Sequence, residues 1–219
     1  VSLVSQTDEF TPRQNAVLEE ALRLLIKGGE KALTTAGVAR AANCSKESLY
    51  KWFGDRDGLL AAMISYQASK VRAYEPAGEK LTEEDLRAHL TSFVRDLLEV
   101  LSGEVSLALN RLAIGQASRE GGKLGQMMLE RGRGPVGKRT IALLEAGRRS
   151  GLLDFSDGNE AYLSLYGLAV GDLHVRMLLG LRAEDARKEF GVRAEKAVDA
   201  FLTLYGTDRK WEEPRIRSV

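Results

Sequence analysis

The stretch that decides the fold is Thr34-Thr35-Ala36-Gly37-Val38-Ala39-Arg40-Ala41-Ala42-Asn43-Cys44-Ser45-Lys46-Glu47-Ser48-Leu49-Tyr50-Lys51-Trp52-Phe53. Two short helices meeting at a wide angle need small residues where their backbones approach, apolar residues at the crossing and a turn residue that tolerates positive φ. Ala39 and Ala42 supply the first, Val38, Leu49 and Phe53 the second, and Asn43 the third. Ser45 then stands as N-cap of the second helix. The exposed face of that helix presents Lys46, Ser48, Tyr50 and Lys51 in a window short enough to enter a DNA major groove. The pattern reads as a helix-turn-helix with its recognition helix ending near Phe53.

On the N-terminal side, Thr11 caps and Pro12 opens a helix carrying Val17, Leu18, Ala21, Leu22, Leu24 and Leu25, with Gly28 and Gly29 expected to end it. On the C-terminal side, Gly54 stops the recognition helix. A fourth helix starts around Asp55 to Asp57, carries Leu59, Leu60, Met63, Ile64 and Val71, and breaks at Pro76 and Gly78. Thr82 caps the next, with Asp85 in the place of a capping-box acid and a stripe of Leu86, Leu90, Phe93, Val94, Leu97, Leu98 and Leu101. Further helices are expected from Glu104 to about Ser118 and from Val136 to Ser150. Between them lies a short piece bearing Met127, Met128 and Leu129, set off by Gly121-Gly122 and by Gly132, Gly134 and Pro135. Two final helices, Ser156 to Gly180 and Ala183 to Gly206, are expected to be the longest. On the first of them apolar residues cover more than one face, a surplus that points to a buried helix or a subunit interface. Apolar residues recur at three and four throughout, and no strand pattern stands out, so the fold class is all-α.

Composition limits the partners. Lys plus Arg (32) and Asp plus Glu (31) nearly cancel, so net charge gives no warrant for nucleic acid and a DNA partner has to rest on the local motif. One cysteine, Cys44, excludes an internal disulfide framework and suits a reducing compartment, and with two histidines a dedicated zinc site is not expected. No apolar run reaches the roughly 18 residues of a membrane helix, and no charged region leads into an apolar core and cleavage site. The expectation is a cytoplasmic protein with no membrane partner and no cofactor.

The motif resembles the head of the TetR family of one-component bacterial repressors. The resemblance is carried by Thr34, Val38-Ala39, Ala42, Ser45, the run Leu49-Tyr50-Lys51-Trp52-Phe53 and the following Gly54-Asp55-Arg56-Asp57-Gly58-Leu59-Leu60. The body is similar in helix count and length, and faintly resembles AefR-type sensor domains. Three positions depart from the family pattern: Asn43 replaces a glycine, Arg56 a lysine, and Glu47 a small residue, which puts the operator preference in doubt because an acid repels phosphates unless a cytosine amino group donates to it.

The resemblance implies an all-α chain with a three-helix helix-turn-helix DNA-binding head and a C-terminal helical bundle containing a dimer-forming helix pair. The expected divisions are a flexible tail over 1–10, the DNA-binding domain over 11–56, a connecting helix over 57–75, a ligand-sensing and dimerisation domain over 76–208 and a tail over 209–219. It implies a ligand-responsive regulator, a repressor released from a double-stranded DNA operator by a small molecule, acting as a homodimer through the last two helices. Thr34, Thr35, Ser45, Tyr50 and Arg56 look like phosphate-positioning groups, and Lys46, Ser48 and Lys51 like candidates for base edges. The competing explanation for each is structural: Thr34 and Ser45 as helix caps, Tyr50 as a half-buried ring, Lys46, Lys51 and Arg56 as solvated charges. Trp52 is assigned to packing.

For the effector, the candidates are polar or adaptable groups on otherwise apolar helices: His89, Asn110, Arg111, Gln116, Met127, Met128, Tyr166, Asp172, His174 and Arg176. Against them, the methionines fit plain core, the histidines fit satisfied or surface positions, and Arg111 fits an ion pair. Two other classes compete. A di-iron helical enzyme needs Glu-x-x-His motifs, and neither His89 nor His174 has a glutamate three residues before it. A helical protein-interaction adaptor calls for an apolar outer face on the recognition helix, where Lys46, Glu47 and Lys51 are charged.

Overall fold

The computed structural model of the chain describes residues 10–72, 80–118 and 122–207. Residues 1–9, the break at Pro76 and Gly78, Gly121 and the tail 209–219 lie outside the described residues. Every regular element among the described residues is helical, with one isolated antiparallel bridge between Leu153 and Gly206. No helix of the described residues is long and apolar enough to cross a membrane.

The head is built from α1 (Pro12–Ala32), α2 (Thr35–Ala41), α3 (Lys46–Phe53) and α4 (Arg56–Ala68). Thr11 and Gln14 form a reciprocal capping box at the start of α1, with Pro12 in its first turn. Gly28 and Gly29 do not end α1. Gly29 takes φ 61° and kinks it, and helical winding resumes to Ala32, because a single left-handed glycine redirects a helix without preventing the next turn from forming. Asn43 turns the chain between α2 and α3 at φ 48°, as expected of the turn residue. Gly58 has no substitute in the turn from α3 to α4, since a Cβ there would lie 1.9 Å from the Phe53 carbonyl oxygen.

α4 ends at Ala68, short of the expected residue 75. Its end is held by Arg139, whose guanidinium donates to the carbonyls of Ala68 (2.9 Å) and Val71 (3.3 Å), so the last turn closes on a side chain instead of on further helix.

The body contains α5 (Glu83–Ser102), α6 (Glu104–Gln116), α7 (Lys123–Met127), a π-wound segment (Met128–Arg133), α8 (Gly134–Arg149), α9 (Gly158–Val170), α10 (Leu173–Leu178), α11 (Ala183–Arg187) and α12 (Phe190–Tyr205). Thr82 and Asp85 form the capping box anticipated for α5. Gly132, Gly134 and Pro135 do not separate two pieces. Winding runs on from α7 into α8 because the π segment pairs the Gly134 amide with the Leu129 carbonyl, five residues back. That register change accommodates Pro135, which has no amide hydrogen to offer.

The expected pair of longest helices is also broken. Gly171, at φ 51°, separates α9 from α10, and the Arg193 guanidinium fills the gap by donating to the Ala169 and Val170 carbonyls at 2.6 and 2.9 Å. The second is divided into α11 and α12, and the longest helices are α1 and α5 at 21 and 20 residues.

Two cores result. One joins Val17, Leu18 and Leu22 of α1 to Val38, Leu49, Leu60 and Met63, and takes in Leu109 and Ala113 of α6 and Leu124 of α7. The other joins Leu86, Leu90, Val94 and Leu98 of α5 to Leu144, Leu165, Val198 and Phe201. Burial of such side chains supplies the main driving force, about 1.5–3 kcal/mol for each one fully removed from water. The head core therefore continues into the body through α4 and α6 and is not confined to the first three helices.

Candidate nucleic-acid interface and effector cavity

Recognition-helix geometry begins with its caps. Thr34 Oγ1 accepts from the Gly37 amide and Ser45 Oγ from the Ser48 amide, each at 3.0 Å. Ser45 and Ser48 also share a hydroxyl–hydroxyl bond of 3.0 Å. Leu49 and Phe53 anchor the inner face of α3, and Trp52 packs edge-on to Phe53 with ring centroids 6.2 Å apart. Lys46, Glu47, Tyr50 and Lys51 are exposed on the outer face. Tyr50 is 57% exposed, so its ring does not belong to the core.

Thr34 and Ser45 are exposed, Thr35 and Ser48 half-buried. Arg56 is exposed and bonds to Glu30 at 2.5 Å, which places an acidic competitor beside a group expected to meet phosphate. Sequence reasoning missed Arg13, which donates to the carbonyls of Ala42 (2.9 Å) and Asn43 (2.7 Å) and fixes the turn before α3. It also passed over Arg40, exposed on α2. A cation thirty residues away in sequence gives no local signal that it closes a turn.

α4 connects this head to the body. Near its start Asp57 pairs with Lys123 of α7. In its last turn the Tyr66 hydroxyl donates to Glu19 of α1 at 2.5 Å, and burial, then that carboxylate, push the tyrosine pKa up to about 12. The second half of α4, with Ile64, Gln67 and Ala68, forms one wall of a cavity of about 230 Å³ together with Val71 just beyond it.

The other walls come from Leu97, Val100 and Leu101 of α5, Ser106, Leu109 and Asn110 of α6, and Met128, Leu129, Gly132, Arg133 and Val136 along the π segment and α8. Tyr162 and Tyr166 of α9 and His174 of α10 complete it. Most of this lining is apolar, with a few polar groups converging on it, as in small-molecule sites.

Among the described residues, Gln67 Oε1 and His174 Nε2 are buried on these walls without a hydrogen-bond partner, and the Tyr162 hydroxyl, buried too, has only a contact with Arg133. Burial lowers the His174 pKa and raises those of Tyr162 and Tyr166, an effect that the nearby Arg133 charge partly offsets for both tyrosines. Arg133 lies 4.5 Å over the Tyr166 ring.

Of the candidates named from sequence, Asn110, Met128, Tyr166 and His174 meet at this cavity. Asn110 Nδ2 is already committed to the Ser106 carbonyl at 2.8 Å. His89 lies apart, in a cleft of about 20 Å³ beside the Arg72–Asp96 ion pair, which is room for one water. Its pKa is lowered, chiefly by burial. Arg111 pairs with no described acid, and instead its guanidinium donates to the carbonyls of Met177 (2.8 Å) and Leu178 (3.0 Å) at the end of α10. Met127 packs against the head core, and Gln116, Asp172 and Arg176 are not among the cavity's walls. Tyr162, Arg133 and Gln67 were missed. The four-residue spacing of Tyr162 and Tyr166, which puts both rings on one helix face, was the available signal. Among the described residues no three His, Cys, Asp or Glu side chains gather where they could hold a metal ion.

Residues 88–207 match the C-terminal domain of AefR-like transcriptional repressors, and residues 17–63 match the bacterial regulatory proteins of the tetR family. The chain belongs to the TetR family. A TetR transcriptional regulator from Agrobacterium tumefaciens is 65% identical, superimposes with a TM-score of 0.80, and is aligned over 91% of this chain and 97% of its own. A TetR-family regulator from a Rhodococcus species is 26% identical with a TM-score of 0.65, over 87% of this chain and 98% of its own. The uncharacterised HTH-type transcriptional regulator YvkB of Bacillus subtilis is 34% identical over 58 residues, so the match spans 26% of this TetR-family chain and 31% of that relative's length.

Proposed function

We propose that the protein is a homodimeric repressor that grips an operator with α3 and is released from it by a small molecule bound in the 230 Å³ cavity. The observation that carries this reading is the double membership of α4. Ile64 of that helix is buried in the head core and also lines the cavity. A ligand pressing on that wall acts on the element that sets the position of the head. Two heads on one operator must meet half-sites about 34–36 Å apart, and a ligand can change DNA affinity only through different affinity for the two arrangements.

Lys46, Ser48, Tyr50 and Lys51 support the DNA reading by occupying the groove-facing side of α3, with Thr34, Thr35 and Ser45 flanking it. An adaptor would need an apolar surface there, and the exposed residues include Lys46, Glu47 and Lys51. Dimerisation through α9 and α12 is supported by exposed apolar side chains on both: Leu163 (52%), Leu168, Val192 (54%) and Leu204. The two core regions support a division near the end of α4, with the head's packing extended along that helix.

The test is a wedge placed between the π segment and α4. Gly132→Leu should weaken binding to DNA from the protein's own upstream region while the dimer persists, and unchanged affinity would remove α4 from the coupling.

A further inference from the structure

Resting on the reading of the cavity as the effector site, we infer that the effector is a compact amphipathic organic acid, a carboxylate on a one- or two-ring apolar body, with Arg133 as its charge partner. Volume sets the size: the cavity of about 230 Å³ far exceeds the roughly 10–15 Å³ that admits a single water and has room for a small organic molecule. Leu97, Leu101 and Leu109 provide an apolar bed for the body of the ligand.

Charge sets the class. Among the described residues no aspartate or glutamate lines the cavity, and Arg133 is the one arginine or lysine that does. Among the described residues no carboxylate forms an ion pair with Arg133, whose guanidinium instead lies over the Tyr166 ring. A ligand in the cavity lies beside this cation, which keeps its outer side in water. A neutral ligand leaves it unpaired, a cationic one repels it, and a carboxylate accepts from it in the two-pronged geometry that guanidinium favours. The Tyr162 hydroxyl, buried beside Arg133 and in contact with it, keeps its own proton and supplies a further donor to the same carboxylate. Arg133 is exposed on its outer side, so an incoming anion meets its charge first at the cavity's edge.

Isothermal titration calorimetry of the full chain without DNA tests this, with 2-naphthoate, neutral 2-naphthamide and cationic 2-naphthylmethylammonium as probes. Wild type should bind the naphthoate at least tenfold more tightly than the amide, and the cation most weakly. Arg133→Gln should bring the naphthoate and amide affinities together within about twofold, and Arg133→Lys should restore part of the preference. Tyr162→Phe should weaken the naphthoate alone. Amide binding equal to that of the acid, no naphthoate binding, or a preference that survives Arg133→Gln would overturn the assignment. Anisotropy of the DNA complex with naphthoate then separates the two claims. If the acid binds as expected yet leaves DNA affinity unaltered, the release mechanism fails and the ligand class stands.

Discussion

Gly132 faces α4 so closely that a Cβ added to it would lie 3.3 Å from Ile64 Cγ2. Gly132→Leu therefore drives a branched side chain against a residue that is 2% exposed and belongs to the head core. Inserting methylenes into a packed interior costs about 1–3 kcal/mol, and replacing glycine in a helix returns about 0.5–1 kcal/mol. The net strain is at most about 2.5 kcal/mol, and the body can shed it by moving α4. If that movement displaces the heads from their operator spacing, DNA affinity falls by up to roughly 60-fold, since about 1.4 kcal/mol corresponds to tenfold. Fluorescence anisotropy with labelled upstream DNA at fixed salt reads the affinity, and light scattering reads the dimer. A variant that melts at a lower temperature yet binds DNA as wild type does would refute the reasoning, because the strain would then be absorbed without reaching the heads.

Ser45→Ala removes the cap of α3 and should lower stability by about 1 kcal/mol in urea melts. Ser45→Asp should restore the cap but weaken DNA binding by setting a carboxylate beside phosphate, and equal DNA affinity for Asp and Ser would place this cap away from the backbone. The two histidines, His89 and His174, both have pKa values held below 6.5 in the fold. The unfolded chain thus takes up protons first, so their contribution is complete above about pH 6.5 and is lost as pH falls toward the lowered values. Melting temperature should fall between about pH 7 and pH 5.5 and the slope should flatten in His174→Gln, whereas a slope unaffected by that change would acquit His174. Leu168→Glu with Val192→Glu should convert the dimer to monomer in light scattering and abolish tight operator binding, and a surviving dimer would move the interface off α9 and α12.

The head was legible because its signals are local. Thr34 and Ser45 sit three residues before the amides they cap, Asn43 is a residue that tolerates the left-handed turn, and Leu49 and Phe53 are spaced to share a face. The body was legible as helices but not as a cavity. Helical periodicity tells which side of α9 is buried, but a void depends on how several helices fail to meet, so Tyr162, Arg133 and Gln67 went unnoticed while Arg111 was given a role it spends on the carbonyls of α10. Glycine and proline were read as breaks on local rules. Gly29 and Pro135 lie within continued winding because a kink and a π register absorb them, whereas Gly171, passed over inside an apolar run, divides a helix.

The central claim is that α3 reads DNA with its exposed face. The most direct measurement is fluorescence anisotropy of wild type and of the Tyr50→Ala, Lys51→Ala double variant on DNA from the protein's own upstream region, titrated in salt. Wild type should bind tightly with an affinity that falls steeply as salt rises, and the double variant should lose that binding while retaining its fold and dimer. Equal weak binding by the two proteins, or tight binding by both, would contradict the account and move the interface away from α3.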